Sequence, residues 1–311
     1  MEYLKDDSAD LQKILFTGLD AAGKTSIILA LKREFSKIAN IEPTKSVNRK
    51  IFEFMGKSVC SWDLGGQISY RISYLKKPGV YFDNTEVAIY VIDIQKRDRL
   101  PESLSYLNDV INQFRYLEIE PPIYVFFHKY DQFLNDEAQN ELDNFLLNLQ
   151  GKIIELLDYN KIFFYKTSIY SLSTIIKAMS EIFLSIYPKA NLIQKAIEEF
   201  ASKFEAEGIE VIDDNSLIVG SYYQNETARD ILNQTTPYFL SLNDSFQYAE
   251  VAQEENDSDN MIIYRFGRFF LFSKFQMKGG SPPYYILAIR EDPTYNKEIY
   301  EAFIGLLQSI V

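Results

Sequence analysis

Two hydrophobic rhythms divide the chain. Over residues 13–187, short apolar runs alternate with stretches of helical period. "KILFTG" is an apolar run closed by glycine, and "KTSIILALKREF" continues from it as a helix. "KIFEF" and "SVCSWDL" read as a hairpin around "MGK". "EVAIYVIDI" and "PPIYVFFHK" are near-continuously apolar, the pattern of strands covered on both faces. Between them, Leu104, Leu107, Ile111 and Phe114 fall at helical spacing. An amphipathic stretch over roughly 135–158 precedes the strand "KIFFYKTS", and residues 171–187 read as a helix stopped by Pro188. Strands alternating with helices predict an α/β domain over 1–188, built on a doubly wound, mostly parallel sheet.

From residue 189 the rhythm changes. "LIQKAIEEFASKFEAEG" predicts a helix with Ile193, Ile197, Phe200 and Phe204 on one face and Gly208 as its stop. Two short strands follow, "IEVID" and "LIVGSYY", then a helix near 226–242. The acidic stretch at 254–259 reads as a solvated hairpin or loop, without the fixed geometry of a metal site. Three strands, "MIIYRFG", "FFLFSKFQM" and "YYILAIRE", lead to a last helix with Ile299, Phe303, Leu306 and Ile310 on one face. The order α-β-β-α-β-β-β-α predicts a second, α+β domain over 189–311, one five-stranded antiparallel sheet flanked by helices. The chain shows no internal repeat.

Length and composition fit this division. The 311 residues exceed what one core usually supports. A net charge of −12 argues against a nucleic-acid partner and against unaided binding to an anionic membrane. One cysteine, Cys60, makes no internal disulfide, which points to a reducing compartment. Its apolar run reads as core rather than as a nucleophile. No apolar run is long enough for a bilayer span. The start "MEYLKDDSAD" is not the pattern of a signal peptide, and Glu2 excludes N-myristoylation. The expected location is cytoplasmic, with any recruitment to a membrane surface made by a partner. The density of Tyr and Phe reads as core packing, and "KRDR" at 96–99 as a solvated loop.

The strongest chemical signal is "GLDAAGKTS", residues 18–26, which satisfies G-x-x-x-x-G-K-[ST] between a predicted strand and a predicted helix. Gly18 and Gly23 let the backbone curl, so that the N–H groups of Asp20, Ala21, Ala22, Gly23, Lys24, Thr25 and Ser26 can face phosphate oxygens. The following helix adds the positive end of its dipole. Lys24 would reach the terminal phosphates, and the Thr25 hydroxyl would ligate Mg²⁺.

Such a loop accepts any nucleoside triphosphate; the base is read elsewhere. "FFHKYDQF" ends a strand and supplies K-x-D. The carboxylate of Asp131 can accept hydrogen bonds from guanine N1–H and the exocyclic amine, while the stem of Lys129 lies along the base. Adenine offers neither donor, and an unpaired buried acceptor costs on the order of 1–3 kcal/mol. His128 stands where an asparagine is usual. "KTSIY" at 166–170 would close the pocket with main-chain amides of Ser168 and Ile169. A third constellation is "SWDLGGQ", residues 61–67. Asp63 would hold Mg²⁺ through water, the N–H of Gly66 would meet the γ-phosphate, and Gln67 would orient the attacking water as the catalytic residue. Thr44, in "IEPTKS", is placed to be a second hydroxyl ligand. Segments held only by Mg²⁺ and the γ-phosphate are released on hydrolysis, which makes a switch. Comparable small GTPases hydrolyse at about 10⁻⁴ s⁻¹ unaided and gain about 10⁵-fold from a partner's arginine. No arginine can be assigned from sequence as an internal finger, so an accessory activator is expected.

"GLDAAGKT" and "WDLGGQ" resemble Arf-like small GTPases. "HKYD", "TSIY", "YFDNTEVAIYVID" and the element order of the second domain resemble the Rag/Gtr GTPases over about residues 11–311. That resemblance implies a roadblock/longin-type C-terminal module that pairs with a second chain, usually as a heterodimer, although a sole chain could homodimerise. It also implies docking on roadblock-type scaffold proteins, with activating and exchange factors as further partners. The pairing contact is expected on the outer strand face or first helix of 189–311. Two other readings stay open. One is a nucleotide-locked scaffold that barely hydrolyses GTP, against which Gln67 counts. The other is an adenine-nucleotide phosphotransferase, against which Lys129 and Asp131 count.

Overall fold

The structure, a computed structural model, describes residues 11–131, 135–248, 260–277, 282–294 and 296–311. The acidic stretch at 254–259 lies outside them, as do the first ten residues. The chain divides into two compact units, one up to Ile175 and one from Ile176 onward.

The first unit runs β1 (Gln12–Thr17), α1 (Lys24–Leu31), α2 (Phe35–Ile38), β2 (Val47–Phe54), β3 (Lys57–Leu64), α3 (Ile68–Leu75), α4 (Pro78–Tyr81), β4 (Thr85–Asp93), α5 (Leu100–Tyr116), β5 (Ile123–His128), α6 (Asp136–Leu157) and β6 (Ile162–Thr167). The sheet order is β2-β3-β1-β4-β5-β6. Only the edge strand β2 runs antiparallel. Central β4 buries Val87 to Ile92 without interruption, because helices cover both its faces. α6 opens on Asn135, whose side chain accepts from Glu137 N at 2.9 Å, a standard N-cap. α7 (Leu172–Ile186) follows, and the division between the units falls inside it.

The second unit continues with α8 (Ala190–Lys203), β7 (Gly208–Ile212), β8 (Ile218–Tyr223), α9 (Glu226–Tyr248), β9 (Asn260–Arg265), β10 (Arg268–Gln276), β11 (Pro283–Arg290) and α10 (Lys297–Ile310). All five strands pair antiparallel in the order β8-β7-β11-β10-β9. Strand alternation decides which helix lies on which face. Val211 pairs with Gly220, and a Cβ on Gly220 would lie 2.5 Å from Ile197 of α8. Gly208 and Glu210 face the other way, toward Ala228, Leu232 and Thr236 of α9. α10 joins α8 through parallel stacking of Phe200 and Phe303, centroids 4.1 Å apart.

Three expectations need correction. α8 stops at Lys203, and Gly208 opens β7 instead of ending the helix; it is there because α9 leaves no room for a side chain. Lys96, Arg97 and Asp98 are exposed, as expected of a solvated segment, but residues 97–99 form a 3₁₀ turn rather than a loop, and its arginines are engaged: Arg97 lies over the Phe145 ring, and Arg99 pairs with Asp20. Cys60 is half-buried in β3 rather than core, since the strand's alternation buries its neighbours Val59 and Ser61 instead. Among the described residues, no helix is long and apolar enough to cross a membrane.

Candidate functional site

The loop between β1 and α1 is shaped by two glycines at positive φ. Gly18 has φ +132°, and a Cβ there would sit 2.4 Å from Val91 O. Gly23 has φ +102°, with the His128 ring where its side chain would be. Lys24 follows as the first residue of α1. It is buried, and its Nζ donates to Gly18 O (3.0 Å) and Leu19 O (2.7 Å), so the ammonium is wrapped inside the loop. Burial pulls its pKa down to about 8. An ammonium so poorly solvated gains strongly from any polyanion placed beside it.

Beside the loop, three predicted metal ligands from three segments meet. Thr25 Oγ1 donates to Asp63 Oδ2 (2.6 Å) and lies 2.9 Å from Thr44 Oγ1. Thr44 Oγ1 lies 3.4 Å from the same carboxylate oxygen. Burial pushes the Asp63 carboxyl above its usual range, and its buried Oδ1 has no hydrogen-bond partner. A buried, unpartnered carboxylate oxygen next to two hydroxyls is the hard-oxygen donor set that suits Mg²⁺, which binds through one or two carboxylates plus hydroxyl, phosphate and water oxygens. The residues present therefore fit the ion. The Gly66 carbonyl accepts from Asp20 N (3.1 Å), and a Cβ on Gly66 would lie 2.2 Å from that nitrogen, so strand β3 delivers Gly66 directly onto the loop. Gln67 follows, exposed, at the N-cap of α3.

The base-reading residues come from the ends of β5 and β6. His128 is 1% exposed. Its Nδ1 lies 2.9 Å from Thr167 Oγ1, and burial lowers its pKa to about 4, so the ring is neutral. Lys129 Nζ bridges Asp93 Oδ2 (2.7 Å) and Ala21 O (3.0 Å), tying the base pocket to the phosphate loop. Asp131 Oδ1 accepts from Ser168 Oγ (2.5 Å) and Oδ2 from Gln95 Nε2 (2.8 Å). The main-chain N–H of Ser168, expected to face the base, instead donates to Thr174 Oγ1 (3.0 Å), and it is the Ser168 hydroxyl that reaches Asp131. Ile169 lines the cavity.

One cavity of about 550 Å³ is lined by residues 20–26, Thr44, Gly66 and Gln67 together with His128, Lys129 and Asp131. Six of its lining residues were not foreseen, namely Ile38, Ile41, Glu42, Pro43, Gln95 and Tyr170, and two of them bear on the base pocket. Gln95 offers its amide to Asp131 much as a purine N–H would, and Tyr170 stands 82% exposed beside Ile169. Gln95 carries no motif, since only the pairing of β4 with β5 brings it near Asp131. Asp20 lines the cavity too, but its carboxylate pairs with Arg99 (2.8 Å), which holds it below the usual carboxylate range.

The family model "Gtr1/RagA G protein conserved region" matches residues 13–252. The chain is 38% identical over 134 residues to ADP-ribosylation factor-like protein 3 of Chlamydomonas reinhardtii, across 42% of this chain and 71% of that protein. Among solved structures, it is similar to the Arl6 BBS3 small GTPase of Trypanosoma brucei with bound GppNp. That match has 21% identity and a TM-score of 0.41, and covers 54% of this chain and 93% of the other.

Proposed function

The chain belongs to the Gtr1/RagA G protein family, and from that premise we propose that it is a switch binding GTP or GDP with Mg²⁺, hydrolysing GTP slowly when alone and dimerising through its second unit. The observation that carries the nucleotide reading is that one cavity is lined both by the loop residues 20–26 and by Asp131.

The residues divide the work as follows. The amides of 21–26 and the Lys24 ammonium hold the phosphates. When bound, Mg²⁺ would supply charge neutralisation for the phosphates. Thr25, Thr44 and Asp63 supply its protein-side oxygens, and Thr44 also closes its segment over the site. Gly66 N–H meets the γ-phosphate, and exposed Gln67 orients water toward it. Asp131 accepts both donors of the guanine edge, for which the Gln95 amide yields. Lys129 lies along the base, and neutral His128 seats against Gly23 beneath it. Arg71 and Arg99 are both held in ion pairs, which leaves the fast rate to an arginine brought by an activator.

In the second unit, β9 is an edge strand with Ile262 and Tyr264 exposed, and α9 exposes Tyr238 and Leu242. An apolar edge with no strand paired to it among the described residues invites strand addition, which supports pairing with a second chain of this family, identical or not. Roadblock-type scaffolds, exchange factors and activators complete the proposed partners.

Single-turnover decay of GTP on the full chain tests the switch. Slow decay that Gln67→Leu slows at least a further ~10-fold is expected. Wild-type decay no faster than the variant's would leave a nucleotide-locked scaffold and overturn the hydrolytic reading.

A further inference from the structure

Two arginines outside every sequence motif close a ring around the junction of loop and switch. Arg71, 7% exposed on α3, donates from Nε to Gly66 O (2.9 Å), the carbonyl that also accepts from Asp20 N. Its Nη2 pairs with Glu102 Oε1. The other oxygen of Glu102 pairs with Arg99 Nη2 (3.1 Å) and Nε (3.2 Å). Arg99 then returns to the loop, to Asp20 Oδ1 (2.8 Å) and Asp20 O (3.4 Å). The circuit starts at the N–H of Asp20 and ends at its carboxylate and carbonyl, passing through Gly66, Arg71, Glu102 and Arg99.

A buried guanidinium needs a partner, and Arg71 has two: a carboxylate and a carbonyl. Charge-assisted bonds of this kind fix orientation as well as distance. What they fix here is the gap between Gly66 and Asp20. Residues of the phosphate loop and Gly66 must both reach a γ-phosphate, whereas a diphosphate needs the loop alone. Order imposed in advance lowers the cost of binding only for the ligand that uses both sides.

We infer that Arg71, Glu102 and Arg99 are positioning residues that set the protein's preference for triphosphate over diphosphate by holding Gly66 against Asp20. This inference rests on the guanine-nucleotide reading above. None of the three lies among the residues assigned to hold nucleotide or metal, so their loss acts through Gly66 and Asp20.

The test is a pair of dissociation constants on the full chain with Mg²⁺, one for GDP and one for guanosine 5′-(β,γ-imido)triphosphate. Glu102→Gln keeps an acceptor but removes the charge between the arginines. It is expected to leave GDP affinity within about 3-fold and to weaken the triphosphate analogue by about 10-fold, the lower range for charge-assisted bonds because Glu102 is 41% exposed at its side chain. Arg99→Gln, which breaks the return to Asp20 and the Arg99–Glu102 pair but leaves Arg71 paired with Glu102, is expected to shift the ratio in the same direction by less. It serves as the readout should Glu102→Gln not fold. Glu102→Asp, which restores charge, should recover part of the ratio. Equal weakening of both ligands, or an unchanged ratio in both variants, overturns the inference while leaving the nucleotide reading intact. A wild-type chain that binds neither ligand overturns that reading, and this inference with it.

Discussion

Adding one methyl group at Gly23 should strain the site in two separable ways. The position has φ +102° and ψ +11°, left-handed backbone that a side chain resists. Such a conformation costs on the order of 1–3 kcal/mol in a non-glycine residue. The new Cβ would also fall 2.4 Å from His128 Cδ2 and 2.7 Å from Nε2, far inside contact distance. The ring cannot yield cheaply, because it is buried and its Nδ1 is tied to Thr167. Losing that bond costs about another 1 kcal/mol. Gly23→Ala should therefore destabilise the first unit by roughly 2–4 kcal/mol and weaken GDP binding. In a His128→Ala background only the backbone part remains, so the two changes should couple by about 1 kcal/mol. Trp62, the sole tryptophan, lies in β3 of the same unit, and its fluorescence in a urea titration reads that unit directly. A Gly23→Ala protein as stable as wild type refutes the reasoning. So does a penalty that is the same with and without the His128 ring.

Other consequences follow from the same geometry. Thr25→Ala and Asp63→Ala should each remove most of the Mg²⁺ dependence of GDP retention, measured as release rate with and without chelator; unchanged dependence contradicts the donor set. Lys24 loses its proton near pH 8 in the free protein and regains it beside phosphates, so the complex binds a proton that the free chain has shed. GDP affinity should thus be flat from pH 6.5 to about 7.5 and fall above pH 8, by up to tenfold per unit; a flat profile to pH 9 contradicts it. Burial pushes Asp213, at the β7–β8 turn, up to about 8. The unfolded chain ionises it near 4, so stability from this group is full below pH 4 and is lost as pH rises toward 8. Its Oδ1 accepts from Asn215 N and Leu217 N while Oδ2 has no partner, so Asp213→Asn keeps both bonds. It should slow amide exchange of β7 and β8 at pH 8 and flatten its pH dependence; faster exchange contradicts the account. Tyr264→Lys on the β9 edge should weaken self-association or capture of a second family member, read as mass in solution, without altering GDP affinity. An unchanged mass for an assembled wild type sinks the edge as the contact.

Much of the architecture is legible in sequence because its signals are local. The glycine spacing of 18–23, the apolar runs of β4 and β5 and the element order of the second unit each depend on neighbours within a few residues. What stays hidden depends on long-range pairing. α3 inverts the usual expectation: Ile68 and Ile72 are exposed while Arg71 is buried. Hydropathy cannot reveal that, because Arg71 is buried by its bonds to Gly66 and to Glu102, thirty-one positions onward. "KRDR" looks like a solvated loop for the same reason, since the partner of Arg99 is Asp20, seventy-nine positions back. Sequence places Ser168 after the last strand of the sheet, but its hydroxyl bond to Asp131 requires β5 and β6 to lie side by side. Gly208 shows that a glycine after a helix pattern need not be a cap, because here it makes room for α9.

The central claim is that one carboxylate selects guanine for a cavity whose other end cradles phosphate. Competition against labelled GDP on the full chain tests it directly, with GDP, IDP and ADP as competitors. IDP lacks the exocyclic amine and ADP lacks both donors that Asp131 would accept. The account predicts the order GDP, then IDP, then ADP, with at least about 10-fold between successive ligands, and an Asp131→Ala chain that no longer ranks them. Equal competition by ADP, or a ranking that survives Asp131→Ala, contradicts it.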